Sequence, residues 1–555
     1  VIQRRIQLVL MIFLILPTSA MSQIWSGDTL SIQAVSFKDP SPKGWNAQYK
    51  TNVDFPEQRT WSKILMIQRL KCDAATAGDQ YPCGEWDYIW NTLLEVPTGD
   101  TTEWFSLGSF VTPYGKRLKL GGENGWSWVY DVSDYAPLLI GKRNLITGNN
   151  QELLDLKFLF IKGMPPREVL SVKNIYPYGD YRYEDLATDS LLKEKELVLS
   201  ADAAGFKLKA TISGHGHAGP YNCCEWDSKT HTYLLNKYES YRWTVWKDCG
   251  ANPIYPQGGT WPFDRAGWCP GTRVDEYSFE ITPKVTPGDT ILIDYQIENF
   301  RDNGEKDGHF RMSHQLISYG PPISAYDAVL VDIRKPSSAD NYSRFNPSCD
   351  APEIVIMNGG SRPLKSLRIE YGMEDKRKLK YDWVGDLAFL EQTTITLPSL
   401  PQKYLKDSGS FEVEIVTQKA VPEANIENNK LISEFILPPV FPDETLLIIK
   451  TNDLGRAREN RFMIADAAGL VWYYEESFAD STKYRFPISL PRGCYQFVLS
   501  DDQEDGVSSH WWYRNSAPER VGIDGELRFE NMSGDTLKTF NADFGESLTT
   551  YFMVK

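Results

Sequence analysis

Apolar and polar residues alternate with a period of two along most of the chain, in short runs. "LEVPTGDTTEWFSLGSF" (94–110) and "TILIDYQIENFRDNG" (290–304) show the pattern, with Val, Ile, Tyr, Trp and Thr in stretches broken by Gly, Pro, Asn and Asp. Such alternation gives each segment one face for a core and one for water, and turn residues at this density predict antiparallel β-sandwiches. Helical periodicity is scarce: "SLLKEKELVLS" (190–200) reads as a single helix or as a polar strand. The chain is expected to be all-β.

The pattern also divides the chain. "VIQRRIQLVLMIFLILPTSAMSQ" has a basic start, an apolar middle and small residues after it, the order of a signal peptide over 1–22. Its apolar run is too short for the ~20 residues that a stable transmembrane helix needs, so a protein without a membrane span is expected, secreted or periplasmic, with association at the cell surface left open. "CGEWD" at 83–87 returns as "CCEWD" at 223–227, an offset of 140, which is about the length of one sandwich. Two successive sandwiches of similar plan, 23–165 and 166–338, are therefore expected. After the polar linker "RKPSSADNYSRFNPSCDAP", residues 345–438 read as an immunoglobulin-like module. The Pro-rich "LPPVFPDE" then introduces a C-terminal β-sandwich over 442–555.

Composition narrows the functional classes. Only 24% of the 555 residues are charged and 13% are aromatic, so the chain should fold. The formal charge of −15 repels phosphate backbones and argues against nucleic acid as a partner. Export would place the eight cysteines where disulfides form.

In a strand, Glu85 and Asp87 would share a face with Trp86 opposite, and Glu225 and Asp227 would do the same around Trp226. Acids beside aromatic faces suit sugar binding, and carboxyl groups near such surfaces can acquire raised pKa values and serve as acid or base. Surface ion pairs and core tryptophans give the same pattern. In the tail, "LSDDQEDGV" offers Asp501, Asp502, Glu504 and Asp505 within one turn, either as hard ligands for calcium or as a solvated acidic turn.

"ISGHGHAGPYNCCEWDSKTHT" (212–232), "CGANPIYPQGGTWPFDRAGWCPG" (249–271), "CGEWD" and "FVTPYG" (110–115) together resemble the peptide:N-glycosidase F family, over roughly residues 45–320. The resemblance implies two adjacent eight-stranded jelly rolls with an active site in the cleft between them, and hydrolysis of the amide joining an N-glycan to asparagine without a metal or other cofactor. It implies Asp87 and Glu225 as the catalytic acids. Trp86, Tyr88, His217, Trp226, Arg265 and Trp268 would contact an N-glycoprotein or glycopeptide substrate. Arg265 would supply donors to the sugar or to the developing oxyanion. It also implies the disulfides Cys72–Cys83 and Cys249–Cys269, each contributing ~2–4 kcal/mol.

The sequence departs from the family pattern in several places. The third family acid has no assigned counterpart among Asn149, Asn150 and Glu152. Tyr88 stands where the family has an arginine, and His215 where it has a tryptophan. These changes leave open a different glycan preference, or a site that binds glycans without cutting. Cys223 matches a family cysteine whose partner position is Asp227 here, and Cys224 is extra, so a vicinal bridge and two thiols both remain open. Cys349 and Cys494 are either free or paired with each other. Finally, His215, His217, His231, His309, His314 and Met312 could imitate the copper sites of ascorbate-dependent monooxygenases, which share the paired jelly-roll plan. The metal-free amidase is the expected reading.

Overall fold

The computed structural model describes residues 23–25, 28–44, 47–58, 60–75, 83–84, 86–148, 152–217, 223–300, 307–416, 423 and 425–555. The expected signal peptide 1–22, Glu85, Asn149 and Asn150 lie outside the described residues.

The described residues are nearly all β, and their strands form four pairs of sheets. In the first pair, Thr29–Val35, Glu152–Ile161, Lys63–Cys72 and Trp126–Asp131 face Tyr49–Phe55, Gly141–Thr147, Ile89–Thr98 and Thr101–Val111. In the second, Arg167–Arg182, His309–Pro322, Gly205–His215 and Glu276–Glu280 face Lys195–Val198, Thr290–Ile297, Lys229–Leu235 and Tyr238–Val245. Each of these two sandwiches therefore has eight strands. The ambiguous 190–200 segment supplies the strand Lys195–Val198. The remaining sheets, of five and three strands and then of five and four, build the tail.

The period-two pattern becomes burial directly: Lys229–Leu235 alternates buried and half-buried residues along its whole length. Turn chemistry sets the register. Thr98 pairs with Thr101 across Gly99–Asp100, and Gly99 has φ +61°, as the primed two-residue hairpin turns require.

Two strands fall on the other side of the expected divisions. Gln23–Trp25 pairs with Lys430–Phe435 of the third sandwich, not with the first. Ala328–Lys335 pairs with Glu353–Asn358, so it belongs to the third sandwich and not to the second. Neither segment carries a sequence signal that names its partner, because pairing across such distances is decided by packing.

The first two sandwiches are fused along a seam. Gly271 N–H donates to Val111 O at 2.6 Å, Val274 N–H to Ser109 O at 2.9 Å and Gly258 N–H to Tyr114 O at 2.7 Å. Trp128 Nε1 donates to Gly271 O at 2.8 Å, and Tyr135 Oη to Gln315 Oε1 at 2.7 Å. The first core extends into the second sandwich through Val172, Ile254, Ile317 and Tyr319.

The tail is braced against the same region. Arg344 donates to Asn252 O and Gly250 O on one side, and to Phe544 O and Ser547 O on the other. Trp261 Nε1 donates to Asp543 at 2.8 Å, and Arg117 pairs with Asp524 at 3.2 Å. Cys349–Cys494 bridges the third and fourth sandwiches, Cys72–Cys83 and Cys249–Cys269 are both formed, and Cys223–Cys224 is a vicinal disulfide.

Candidate active site

The described residues of both acidic motifs sit on turns and bends, not strands, so Glu225 and Asp227 do not share a strand face as expected. Gly84 and Tyr88, before the strand Ile89–Thr98, are fastened to the end of its neighbour: Thr112 N–H donates to Tyr88 O at 2.8 Å and Gly115 N–H to Gly84 O at 3.1 Å. That neighbour is the seam strand, so Asp87 is delivered to the junction of the sandwiches.

Glu225 reaches the same junction from the other side. Its N–H donates to Gly216 O at 3.2 Å, and its carbonyl accepts from Ala266 N–H at 3.0 Å. Glycine is required nearby because a Cβ at Gly214 would lie 1.9 Å from Cys224 O. Asp227 turns away instead and pairs with the buried Lys229.

The two carboxyl groups share one electrostatic environment. Burial pushes Glu225 above the ordinary carboxylate range; Arg265 opposes the shift, and Asp87 adds to it. Burial likewise raises Asp87, opposed by Arg265, by its own backbone N–H and by His217. Glu225 is held from both oxygens, with Arg265 Nε 3.2 Å from Oε1 and His217 Nε2 3.4 Å from Oε2.

Arg265 has a different task from the one expected. It is 1% exposed, and its donors all go to protein acceptors: Nε to Glu225, Nη1 to Trp261 O and Phe263 O, and Nη2 to Thr260 O and Oγ1. A guanidinium has five N–H groups, so none remains for a sugar or an oxyanion. Arg265 therefore positions Glu225 and shapes the 260–265 loop. Its carbon lies 4.3 Å from the ring centre of Trp226 and 4.9 Å from that of Trp268.

Trp268 is also no contact surface. It is 2% exposed, and its Nε1 donates to Gly214 O at 2.8 Å, so it forms the floor behind Arg265. The other expected contacts are accessible: Trp86 is 63% exposed, His217 is exposed, and Tyr88 and Trp226 are half-buried.

Tyr114 belongs to the site although sequence reasoning did not single it out. It is buried, its phenol is raised by burial and by the charge of Asp87, and it hydrogen-bonds Thr260. The signal was present in "FVTPYG", whose tyrosine is followed by a glycine that lets the chain pass Gly258: a Cβ at Gly115 would meet Gly258 N at 2.5 Å. Of the third-acid candidates, only Glu152 is described, and it is buried opposite Cys72 in the sheet.

The histidines do not gather into one ligand set among the described residues. His231 Nδ1 lies 2.7 Å from Tyr295 Oη and His314 Nδ1 2.5 Å from Tyr233 Oη, both inside the second core. His215 stacks on Trp268 and on His309. A separate cavity of about 380 Å³, lined by Trp61, Arg167, Lys207 and Glu276 among others, contains none of the site residues.

Two carboxyl groups that burial pushes upward, beside accessible aromatic rings at a sandwich seam, form an arrangement suited to general acid–base chemistry. Residues 182–317 match the family model described as "Peptide-N-glycosidase F, C terminal". The chain is 31% identical over 296 residues to peptide-N(4)-(N-acetyl-β-D-glucosaminyl)asparagine amidase F of Elizabethkingia miricola, covering 49% of this chain and 78% of that relative. PNGase F, a glycosylasparaginase from Flavobacterium meningosepticum, is a solved structure with 26% identity, 53% and 96% coverage and a TM-score of 0.46. PNGF-II gives 16% identity, 53% and 65% coverage and a TM-score of 0.40. The chain belongs to the peptide:N-glycosidase F family.

Proposed function

We propose that this protein is an exported amidase that hydrolyses the bond between an N-glycan and its asparagine in glycoproteins or glycopeptides. The observation that carries the reading is the pair Asp87 and Glu225, brought from different sandwiches into one electrostatic unit at the seam. Family membership supports the reaction class. Export rests on the signal-peptide order of 1–22 and on four disulfides, and no described helix is long and apolar enough to cross a membrane.

The chemistry divides between the two acids. Glu225, held in place by Arg265 and His217, acts in its carboxylate form: it orients a water and takes its proton as the oxygen adds to the side-chain amide carbon. The C–N bond then breaks, and Asp87, whose carboxyl burial favours the protonated form, gives its proton to the departing nitrogen. The products are aspartate on the peptide and a glycosylamine. Proton exchange with solvent resets the pair. Trp86, Tyr88, His217 and Trp226 form the accessible rim where a sugar stacks, and Tyr114 shapes the buried end.

The test is a denatured N-glycoprotein incubated in oxygen-18 water with wild type and Asp87→Asn. Wild type is expected to release glycan and leave an oxygen-18-labelled aspartate, with a loss of about 10²–10⁴-fold in the variant. Binding by both proteins without release would instead make this a glycan-binding protein.

A further inference from the structure

The acidic turn 501–505 of the C-terminal sandwich does not behave as a solvated loop. Asp502 turns outward to Arg461 at 2.7 Å, whereas Asp501 and Asp505 turn inward and are each 3% exposed. Glu459, from the turn before the neighbouring strand Asn460–Asp466, joins them, and one oxygen from each of the three lies within 4.8 Å of the others.

The hydrogen bonding leaves one oxygen free on each acid. Asp501 Oδ1 accepts from Gln503 N–H and Asp505 N–H, both at 3.1 Å, while its Oδ2 has no donor. Asp505 Oδ2 takes His510 Nε2 at 2.6 Å, while its Oδ1 has none. Glu459 Oε2 is also without a donor.

A fourth oxygen points the same way independently. Asn460 is directly opposite Asp501 in the sheet, so their side chains share a face. It is 2% exposed, its Nδ2 donates to Arg456 O at 3.2 Å, and its Oδ1 has no donor. Three carboxylate oxygens and an amide oxygen without donors, on three buried residues and the half-buried Glu459, are costly unless a cation meets them.

We propose that Glu459, Asp501, Asp505 and Asn460 form a calcium site. The donors are all hard oxygens, which suits Ca²⁺ and not the softer transition metals. His510 fixes the orientation of Asp505 from outside the ligand shell. The other acidic group, Asp248, Asp264 and Glu504, differs in kind. Asp264 already accepts from Cys249 N–H and Trp246 Nε1, and Asp248 from Gly250 N–H. The turn that would hold the ion also carries Glu504, which leans on Gly250 at the base of the Arg265 loop. A bound calcium would thus fasten a brace beneath the active site.

The experiment is calorimetric titration of Ca²⁺ into chelator-treated full-length protein, with thermal unfolding followed alongside. One ion per chain is expected, with a Kd between about 10⁻⁶ and 10⁻³ M and weaker binding of Mg²⁺. The unfolding midpoint should rise with calcium. Asp501→Asn and Glu459→Gln should each weaken binding at least tenfold, and Glu504→Gln should leave it unchanged. Absence of binding at millimolar Ca²⁺ would overturn the proposal. So would binding that survives Glu459→Gln, a variant that adds no bulk, or binding that is lost in Glu504→Gln.

Discussion

Replacing Arg265 separates a positioning role from a direct catalytic one. Its guanidinium is buried, pairs with Glu225 and donates four further hydrogen bonds to Thr260, Trp261 and Phe263. Removing one partner of a buried ion pair costs about 3–5 kcal/mol, because the other partner and the loop acceptors are left unmet. Arg265→Met should therefore lower stability by about that amount. Arg265→Lys should recover only part of it, since an ammonium has three donors and no planar fork. The pH profile supplies a second readout. Arg265 lowers the pKa of both Asp87 and Glu225, so removing its charge raises both, and the active window bounded by a deprotonated Glu225 and a protonated Asp87 moves to higher pH. The lysine variant keeps the charge, so its window should stay near that of wild type. The assays are urea unfolding and kcat/KM against pH on a fluorescent glycopeptide. An Arg265→Met variant with unchanged stability and an unmoved profile would refute the positioning role.

Two other expectations follow from buried groups. His231 and His314 are held neutral by burial, with pKa values pushed down to about 3, below the unfolded value near 6.5. The unfolded chain then binds more protons between those limits, so stability should fall by roughly 1.4 kcal/mol per pH unit for each histidine as pH drops through that window; a flat urea midpoint from pH 6 to 4 would contradict this. Cys349–Cys494 joins the third and fourth sandwiches and involves none of the residues of the candidate site. Replacing both cysteines by serine should cost about 2–5 kcal/mol in stability and leave kcat/KM at low temperature unchanged, and a large loss of activity in the still-folded variant would contradict the separation.

What was legible in the sequence was what local pattern encodes. Alternation and turn residues marked the strands, and the repeated "EWD" pointed to two equivalent places in successive sandwiches. Secondary structure at that repeat was misread, because tryptophan and acids fit a strand as well as a turn; the deciding feature was the close approach at Gly214, visible only in three dimensions. The role of Arg265 was hidden for a related reason. Three of its five acceptors are backbone carbonyls, which leave no trace in side-chain identities. The inward turn of Asp501 and Asp505 depended on Glu459 arriving from another strand, which no local spacing announces. Likewise the pairing of Gln23–Trp25 with the third sandwich is a property of packing between distant segments.

The central claim is that Asp87 and Glu225 act as one unit across the seam, and a double-mutant cycle on kcat/KM tests it most directly. Asp87→Asn and Glu225→Gln should each reduce the rate by about 10²–10⁴-fold, and the double variant should be no worse than about the poorer single one. Losses that multiply would show two carboxyl groups working independently, and the shared site would be contradicted.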